Sequence, residues 1–447
     1  MEKRIALRKI FILFVLVISF RNNSPGQVNL KGNGNPINDS LSLKEIIGLA
    51  ISTHPTVKEA EETINNANNR INLAKTGYYP EVDMNANYSN IGPVTTLRIP
   101  DIGSIKLFPE NNYSASLNFR QVIYDFGRTR KNVEFENENK AISEQTLEQT
   151  KQKLSLLAVN NFYTLLFLQS AIRIKEEQLS GLNEHLNNIN KMVATGSATE
   201  YQVLSTKVRI SAIESQKVDI EAAINTQQAF LNTLIGNDQA SNPVVKNELN
   251  AILEVIPSDS LMTYAMKHRD DVILNQKRIS LAELKYGITR LQYNPVLSFS
   301  ATGGAKNGYV PYLDEIRPNY VLALGMRIPI FDGMKTKFNL SQVKSAITSL
   351  SYESDYIRRN VSNDLVDAET YMFSSEKKVV QYSLQLEQAL KAYSLAVISF
   401  NTGIITNLDL LDSNTSVSES RLLLLKAKID YAASIYKLKA ALGERIY

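Results

Sequence analysis

ATGSATEYQVL (194–204) and NTGIITNLDLL (401–411) share one pattern: a Thr-Gly pair, a Thr three residues after the Gly, and a Leu five further on, repeated after 207 residues. Sliding the chain along itself by the same 207 residues brings much more into register. Tyr124-Asp125 falls on Phe331-Asp332, Arg128-Thr129-Arg130 on Lys335-Thr336-Lys337, and Gly236 on Gly443, without a gap. Further upstream the offset becomes 215, matching Ala50 to Ala265, Val57 to Val272, Tyr78 to Tyr293 and Pro80 to Pro295. The difference lies in one loop, between 90 and 112. Two copies of one structural unit therefore fill 43–236 and 258–447, joined by a connecting segment at 237–257.

Each copy mixes two hydrophobic periods. Val82, Met84, Ala86 and Tyr88 alternate with Asp83, Asn85, Asn87 and Ser89, and Tyr113, Ala115, Leu117 and Phe119 with Ser114, Ser116, Asn118 and Arg120. The second copy repeats this at 297–302 and 320–328, where Arg327 takes the place of Arg120. Strands of about ten residues with one apolar and one polar face are the pattern of a transmembrane barrel, and also of a half-buried soluble hairpin. The rest of each copy has a heptad period. Leu165, Ile172, Leu179, Leu186 and Val193 form one seam, and Met372, Val379, Leu386, Tyr393 and Phe400 its counterpart. Lys175 breaks a second seam of Leu168, Leu182 and Ile189. The last helix carries a small-residue seam of Ser413, Ser420, Ala427, Ser434 and Ala441. Such heptads predict coiled-coil packing, with small residues allowing close approach. No proline interrupts 127–194, which predicts a helix about 100 Å long. The opening stretches then read as turns of helical hairpins. Gly196 and Gly403 suit a left-handed helix end, while Thr199 with Gln202, and Thr406 with Asp409, suit capping boxes on the helices that follow.

The N-terminus reads as a secretory signal, with Lys3, Arg4, Arg8 and Lys9 before the apolar run 10–20, and cleavage expected after residue 26. Residues 27–42 form a linker. Residues 1–26 hold five of the 49 basic and one of the 45 acidic residues, so the mature chain is formally neutral and offers no basic surface for nucleic acid. The chain has no Cys, which excludes disulfides, thiolate metal sites and a Cys nucleophile. Past the signal there is no continuous apolar run of membrane-helix length, so any membrane crossing falls to strands. His54, His185 and His268 are scattered, and TGGAKNG (302–308) lacks the ending of a phosphate loop. No catalytic, cofactor or metal site is expected, and the chain does not read as an enzyme.

The ordered set of long helices and strand pairs resembles the TolC family of outer-membrane channel proteins over roughly 43–447. The aromatic-Asp with its basic-Thr-basic triplet (124–130, 331–337) and the Thr-Gly-x-x-Thr turns carry that resemblance. It implies a mainly α fold with β: long coiled-coil hairpins plus a transmembrane β-barrel shared by a homotrimer, four strands per chain in two structural repeats. It also implies a passive export conduit in the bacterial outer membrane, set in outer-membrane lipid, extending into the periplasm and working with a periplasmic adaptor (membrane fusion) protein and an inner-membrane pump. The turns Gly196, Ser197, Ala198, Thr199 and Gly403, Ile404, Ile405, Thr406 would dock the adaptor. Two acidic gate positions of the family match Asp409 and Asp412, although capping by itself also explains Asp409. The positions of a gate tyrosine and a gate arginine are here Phe400 and Ile405, which cannot form a polar lock of that kind. Arg120 and Arg327 would face the barrel lumen. A periplasmic coiled-coil adaptor or scaffold is the alternative; it would ordinarily carry a single hairpin flanked by compact β domains.

Overall fold

The computed structural model describes residues 40–100, 103–249 and 261–447. The expected signal peptide, most of the linker and part of the connecting segment lie outside these. In chain order the helices are α1 (Leu43–Thr53), α2 (Pro55–Lys75), α3 (Arg128–Ala194), α4 (Glu200–Ile235), α5 (Leu261–His268), α6 (Asp270–Arg290), α7 (Lys335–Asn401) and α8 (Asn407–Leu442). The strands are β1 (Glu81–Asn90), β2 (Thr96–Ile99), β3 (Gly103–Lys106), β4 (Asn111–Tyr124), β5 (Val296–Lys306) and β6 (Arg317–Arg327).

The repeat sets the helix lengths. α3 and α7 are both 67 residues long, and α4 and α8 both 36. At 1.5 Å per residue the longer pair spans about 100 Å. The repeated aromatic-Asp motif starts both long helices. Asp125 Oδ2 accepts from the Thr129 backbone N–H at 2.7 Å and from its hydroxyl at 2.6 Å. Asp332 Oδ2 accepts the same two bonds from Thr336 at 2.9 and 2.5 Å. These carboxylates satisfy donors that a helix start leaves open, where the chain turns from strand to helix.

β1, β4, β5 and β6 form one antiparallel sheet in the order β1-β4-β5-β6, with β1 and β6 at its edges. Glu81 pairs with Arg120, Arg120 with Ser300 and Ser300 with Ala323. On the polar face Asp83 Oδ1 accepts from Asn85 at 2.7 Å and Asn118 at 2.8 Å, and Thr302 donates to Asn118 at 3.0 Å. Val82, Met84, Leu117, Leu322, Leu324 and Met326 cover the other face and are exposed in the single chain. The loop between 90 and 112 holds a further hairpin, β2 against β3, four residues each. Strands that short carry too little alternation to be read from sequence. Gly304 lets β5 approach β4: a Cβ there would stand 2.2 Å from the Ala115 carbonyl oxygen.

Helices continue from the sheet. α3 packs between α2 and α6, and α6 between α3 and α7. In the hairpins, α3 packs on α4 and α8, and α8 on α7. One apolar core joins Ile46, Ala50, Phe162, Leu165 and Leu231; a second joins Ala265, Val361 and Leu365. Smaller clusters lie nearer the turns: Leu182, Ile210, Ile213 and Leu411, then Ile189, Val203, Phe400 and Leu410. Ser420, Ala427, Ser434 and Ala441 of the small seam are buried. Lys175 is buried too, with its ammonium 3.5 Å from Gln178 Oε1. Desolvation holds its pKa below the ordinary lysine value, opposed by Glu419. The connecting segment docks on the end of the linker and on the first copy: Val245 bridges to Leu41, and Ser241 O accepts from the buried Asn232.

Candidate functional site

Both hairpin turns are built from backbone hydrogen bonds. Ser197 N–H donates to Met192 O and Ile404 N–H to Ser399 O, each at 2.8 Å, while Gly196 and Gly403 donate to Val193 O and Phe400 O at 3.0 Å. This is the helix end that requires a left-handed residue, and the two glycines have φ of 75° and 76°. Thr406 then caps α8. Its backbone N–H and hydroxyl donate to Asp409 Oδ2 at 2.9 and 2.6 Å, and its hydroxyl oxygen accepts from Asp409 N–H at 3.2 Å. The Thr406 hydroxyl and backbone N–H hold the Asp409 carboxyl below the usual range. Since that pKa is lowered in the fold, the cap is present at neutral pH and is lost as pH falls through the lowered value. The first turn carries the same kind of capping box: the Thr199 side chain accepts from the Gln202 backbone N–H, and the Thr199 backbone N–H donates to Gln202 Oε1 at 3.3 Å.

The two turns differ in what they present. Ser197, Ala198 and Thr199 offer small or polar groups, whereas Ile404 projects with 77% of its surface exposed. Phe400 and Ile405 turn inward and meet in the cluster with Ile189, Val203 and Leu410, which draws on α3, α4, α7 and α8 together. Asp409 and Asp412, one helical turn apart on α8, stay exposed.

Beside this cluster lies a polar link that the sequence did not disclose. Asn407, 3% exposed, donates through Nδ2 toward Gln202 O at 3.3 Å and the hydroxyls of Ser205 and Thr206 at 3.2 Å. Its Oδ1 faces His185 Nε2 at 2.7 Å, which assigns the imidazole proton to Nε2. The His185 ring also meets Phe400 edge to face at 5.2 Å. Asp412 is not free: its Oδ1 is 2.6 Å from Arg209 Nη2 on α4. Arg421 and Glu177, 2.5 Å apart, add a second ion pair between the hairpins. The only sequence signal for these residues is a difference between the copies. Under the 207-residue offset Asn407 matches Glu200, His185 matches Ala392 and Arg209 matches Ser416.

In the sheet, Arg120 and Arg327 lie on the face that carries Asp83, Asn118 and Thr302, and neither forms an ion pair among the described residues. His54 caps α2 through Nδ1, and His268 stacks on Tyr264 at 4.0 Å.

The sequence profile described as outer membrane efflux protein matches residues 46–237 and 261–444. The chain is 19% identical to the alkaline protease secretion protein AprF of Pseudomonas aeruginosa over 340 residues, covering 74% of this chain and 70% of that protein. It is 18% identical to the outer membrane protein TolC of Salmonella enteritidis over 418 residues, covering 91% and 83%. Among solved structures, CusC, described as forming a transmembrane channel, superposes with a TM-score of 0.78 at 17% identity, over 94% of this chain and 97% of that one.

Asn407→Ala removes a group that pairs with four buried or half-buried partners, Gln202, Ser205, Thr206 and His185, and replaces it with nothing. A loss of about 1–3 kcal/mol is expected. Asp412→Asn weakens a contact whose carboxylate is 61% exposed, and should cost under about 1 kcal/mol. Thermal unfolding of the detergent-purified protein should therefore rank Asn407→Ala well below Asp412→Asn; the reverse order would show that the amide link holds little.

Proposed function

The chain belongs to the outer membrane efflux protein family, and on that premise we propose that it is a passive conduit from periplasm to exterior, assembled as a homotrimer. The observation that carries this reading is the continuity of two features. A four-stranded sheet with an apolar outer and a polar inner face runs directly into two helical hairpins of equal length. One chain leaves both sheet edges open, and open edges are not tolerated in lipid. The helical flanks are unpartnered as well. α7 exposes Tyr352, Val366, Phe373 and Val380 at multiples of seven, and α4 exposes Tyr201, Val208 and Val218. Three copies supply twelve strands, whereas two would close an eight-stranded barrel whose interior side chains fill it.

In this reading the protein performs no chemistry. An inner-membrane pump supplies the energy and a periplasmic adaptor the connection, seated on the turns 196–199 and 403–406. Closure at the periplasmic end rests on the Phe400–Ile405 cluster, with Asn407 and the Arg209–Asp412 pair fastening one hairpin to the other. Opening then requires α8 to leave α4. Threefold symmetry gathers six carboxylates from Asp409 and Asp412 near the pore, where rings of acidic groups favour cations.

Two outcomes are expected. In a planar bilayer the purified trimer should pass small, cation-selective currents. Asp409→Asn with Asp412→Asn should weaken the selectivity, and Arg209→Ala, which unfastens Asp412, should raise both conductance and cation selectivity. Currents indifferent to all three substitutions would place the constriction elsewhere.

The second outcome concerns docking. A Cβ at Gly403 meets no atom within 4 Å in the chain, so the bulk of a side chain there points outward, while the φ of 76° strains any residue that carries a Cβ. Gly403→Trp should abolish export while the protein still reaches the outer membrane as a trimer. Gly403→Asn, which tolerates the left-handed backbone, should export nearly normally. Export by the Trp variant at the normal rate would remove this turn as the docking site.

A further inference from the structure

We propose that the chains join edge to edge in one strand register, dictated by the internal repeat. β6 pairs antiparallel with β1 of the next copy, so that Arg327 stands opposite the partner's Asn85 and Ala323 opposite the partner's Ser89. This rests on the trimeric reading and adds to it the alignment that closes the barrel.

The argument starts from the pairing inside the chain. In the first copy Glu81 pairs with Arg120 and Tyr88 with Tyr113. Offsets of 215 for the first strand and 207 for the second turn these pairs into Val296 with Arg327 and Gly303 with Tyr320. Those are the pairs found in the second copy. The repeat is therefore kept in backbone register as well as in sequence. The junction between copies, β4 with β5, sets Arg120 opposite Ser300 and Ser116 opposite Gly304. The junction that no single chain contains is β6 with the next β1. The same offsets carry Arg120 and Ser300 to Arg327 and Asn85, and Ser116 and Gly304 to Ala323 and Ser89.

The helices oppose any slip away from this register. Because α3 and α7 are equally long and follow their strands through the same capped turn, copy-to-copy steps in the sheet and in the helices are tied together. Side-chain chemistry agrees. Arg327, Gly325 and Ala323 lie on the polar face beside the partner's Asn85, Asn87 and Ser89, while Met326 and Leu324 meet the partner's Ala86 and Tyr88 on the apolar face. A one-residue slip would invert every one of these faces. The register also brings Arg327, which has no ion pair among the described residues, diagonal to the partner's Asp83, a carboxylate already oriented by Asn85 and Asn118.

The chain has no cysteine, so introduced thiols are the only ones present. Ala323→Cys is combined in the same chain with Ser89→Cys, Asn87→Cys or Asn85→Cys. β1 and β6 are opposite edges of the sheet, so any disulfide between these positions joins two chains. Directly opposed residues lie about 4.5–5.5 Å apart, within disulfide reach, and residues four positions away do not. After mild oxidation of outer membranes, non-reducing gels should show covalent dimers and trimers forming fastest with Ser89→Cys. Arg327→Cys with Asn85→Cys should link equally well, an independent check should the first set insert poorly. Fastest linkage through Asn87→Cys or Asn85→Cys to Ala323→Cys would overturn the register and leave the trimer standing. No linkage from any inserted pair would overturn the edge-to-edge assembly itself.

Discussion

The backbone N–H and C=O groups along the outer edges of β1 and β6 have no strand partner among the described residues, and the rest of the molecule is arranged around that fact. In water such an edge is a liability that charge or a bulge can blunt. In hydrocarbon it must be closed. A four-stranded sheet cannot close on itself, so on the proposed reading the smallest complete object is several chains. The same boundary runs through the helical part. α2 and α4 flank one side, α7 the other, and both carry apolar residues that the single chain leaves uncovered.

Duplication is how one chain supplies so much regular structure. Each copy uses an Asp-Thr cap to turn from strand to helix, a left-handed glycine to end the long helix, and a Thr cap to begin the return helix. These are local devices, each satisfying helix-end groups that are otherwise unpaired. What distinguishes the copies is the contact between their hairpins. Asn407, His185 and Arg209 have no like residue in the other copy, and they hold α8 to α3 and α4 near the turns. Between the large core around Phe162 and the cluster around Leu182, the seam is polar: buried Lys175, Gln178 and the unpartnered Ser418 hydroxyl take positions that apolar residues fill elsewhere. A seam interrupted in this way is weaker than a continuous one.

The frame was legible in the sequence because it rests on periodicity. The 207-residue offset, the two alternating strand pairs and the heptads fixed the order and length of the main elements, and the two turn glycines marked the hairpin tips. The β2–β3 hairpin escaped notice because four-residue strands leave no measurable period. At the turns, Phe400 and Ile405 could be named through the family resemblance as positions for the gate, but the partners of Asp412 and Asn407 could not. Those contacts depend on which helix of one copy lies against which helix of the other, a matter of packing between segments some 200 residues apart. Asp409 shows the converse. Its capping role follows from spacing alone and is what the hydrogen bonds display, so the pore role proposed for it would be additional to a local one.

The central claim is that closure of the sheet requires other copies of the same chain. The most direct test is the mass of the particle released from outer membranes in detergent, measured by native mass spectrometry. The account predicts a single species of three chains, with no monomer that retains strand signal in infrared spectra. A folded monomer stably inserted in the membrane, or a particle of any number other than three, would contradict it.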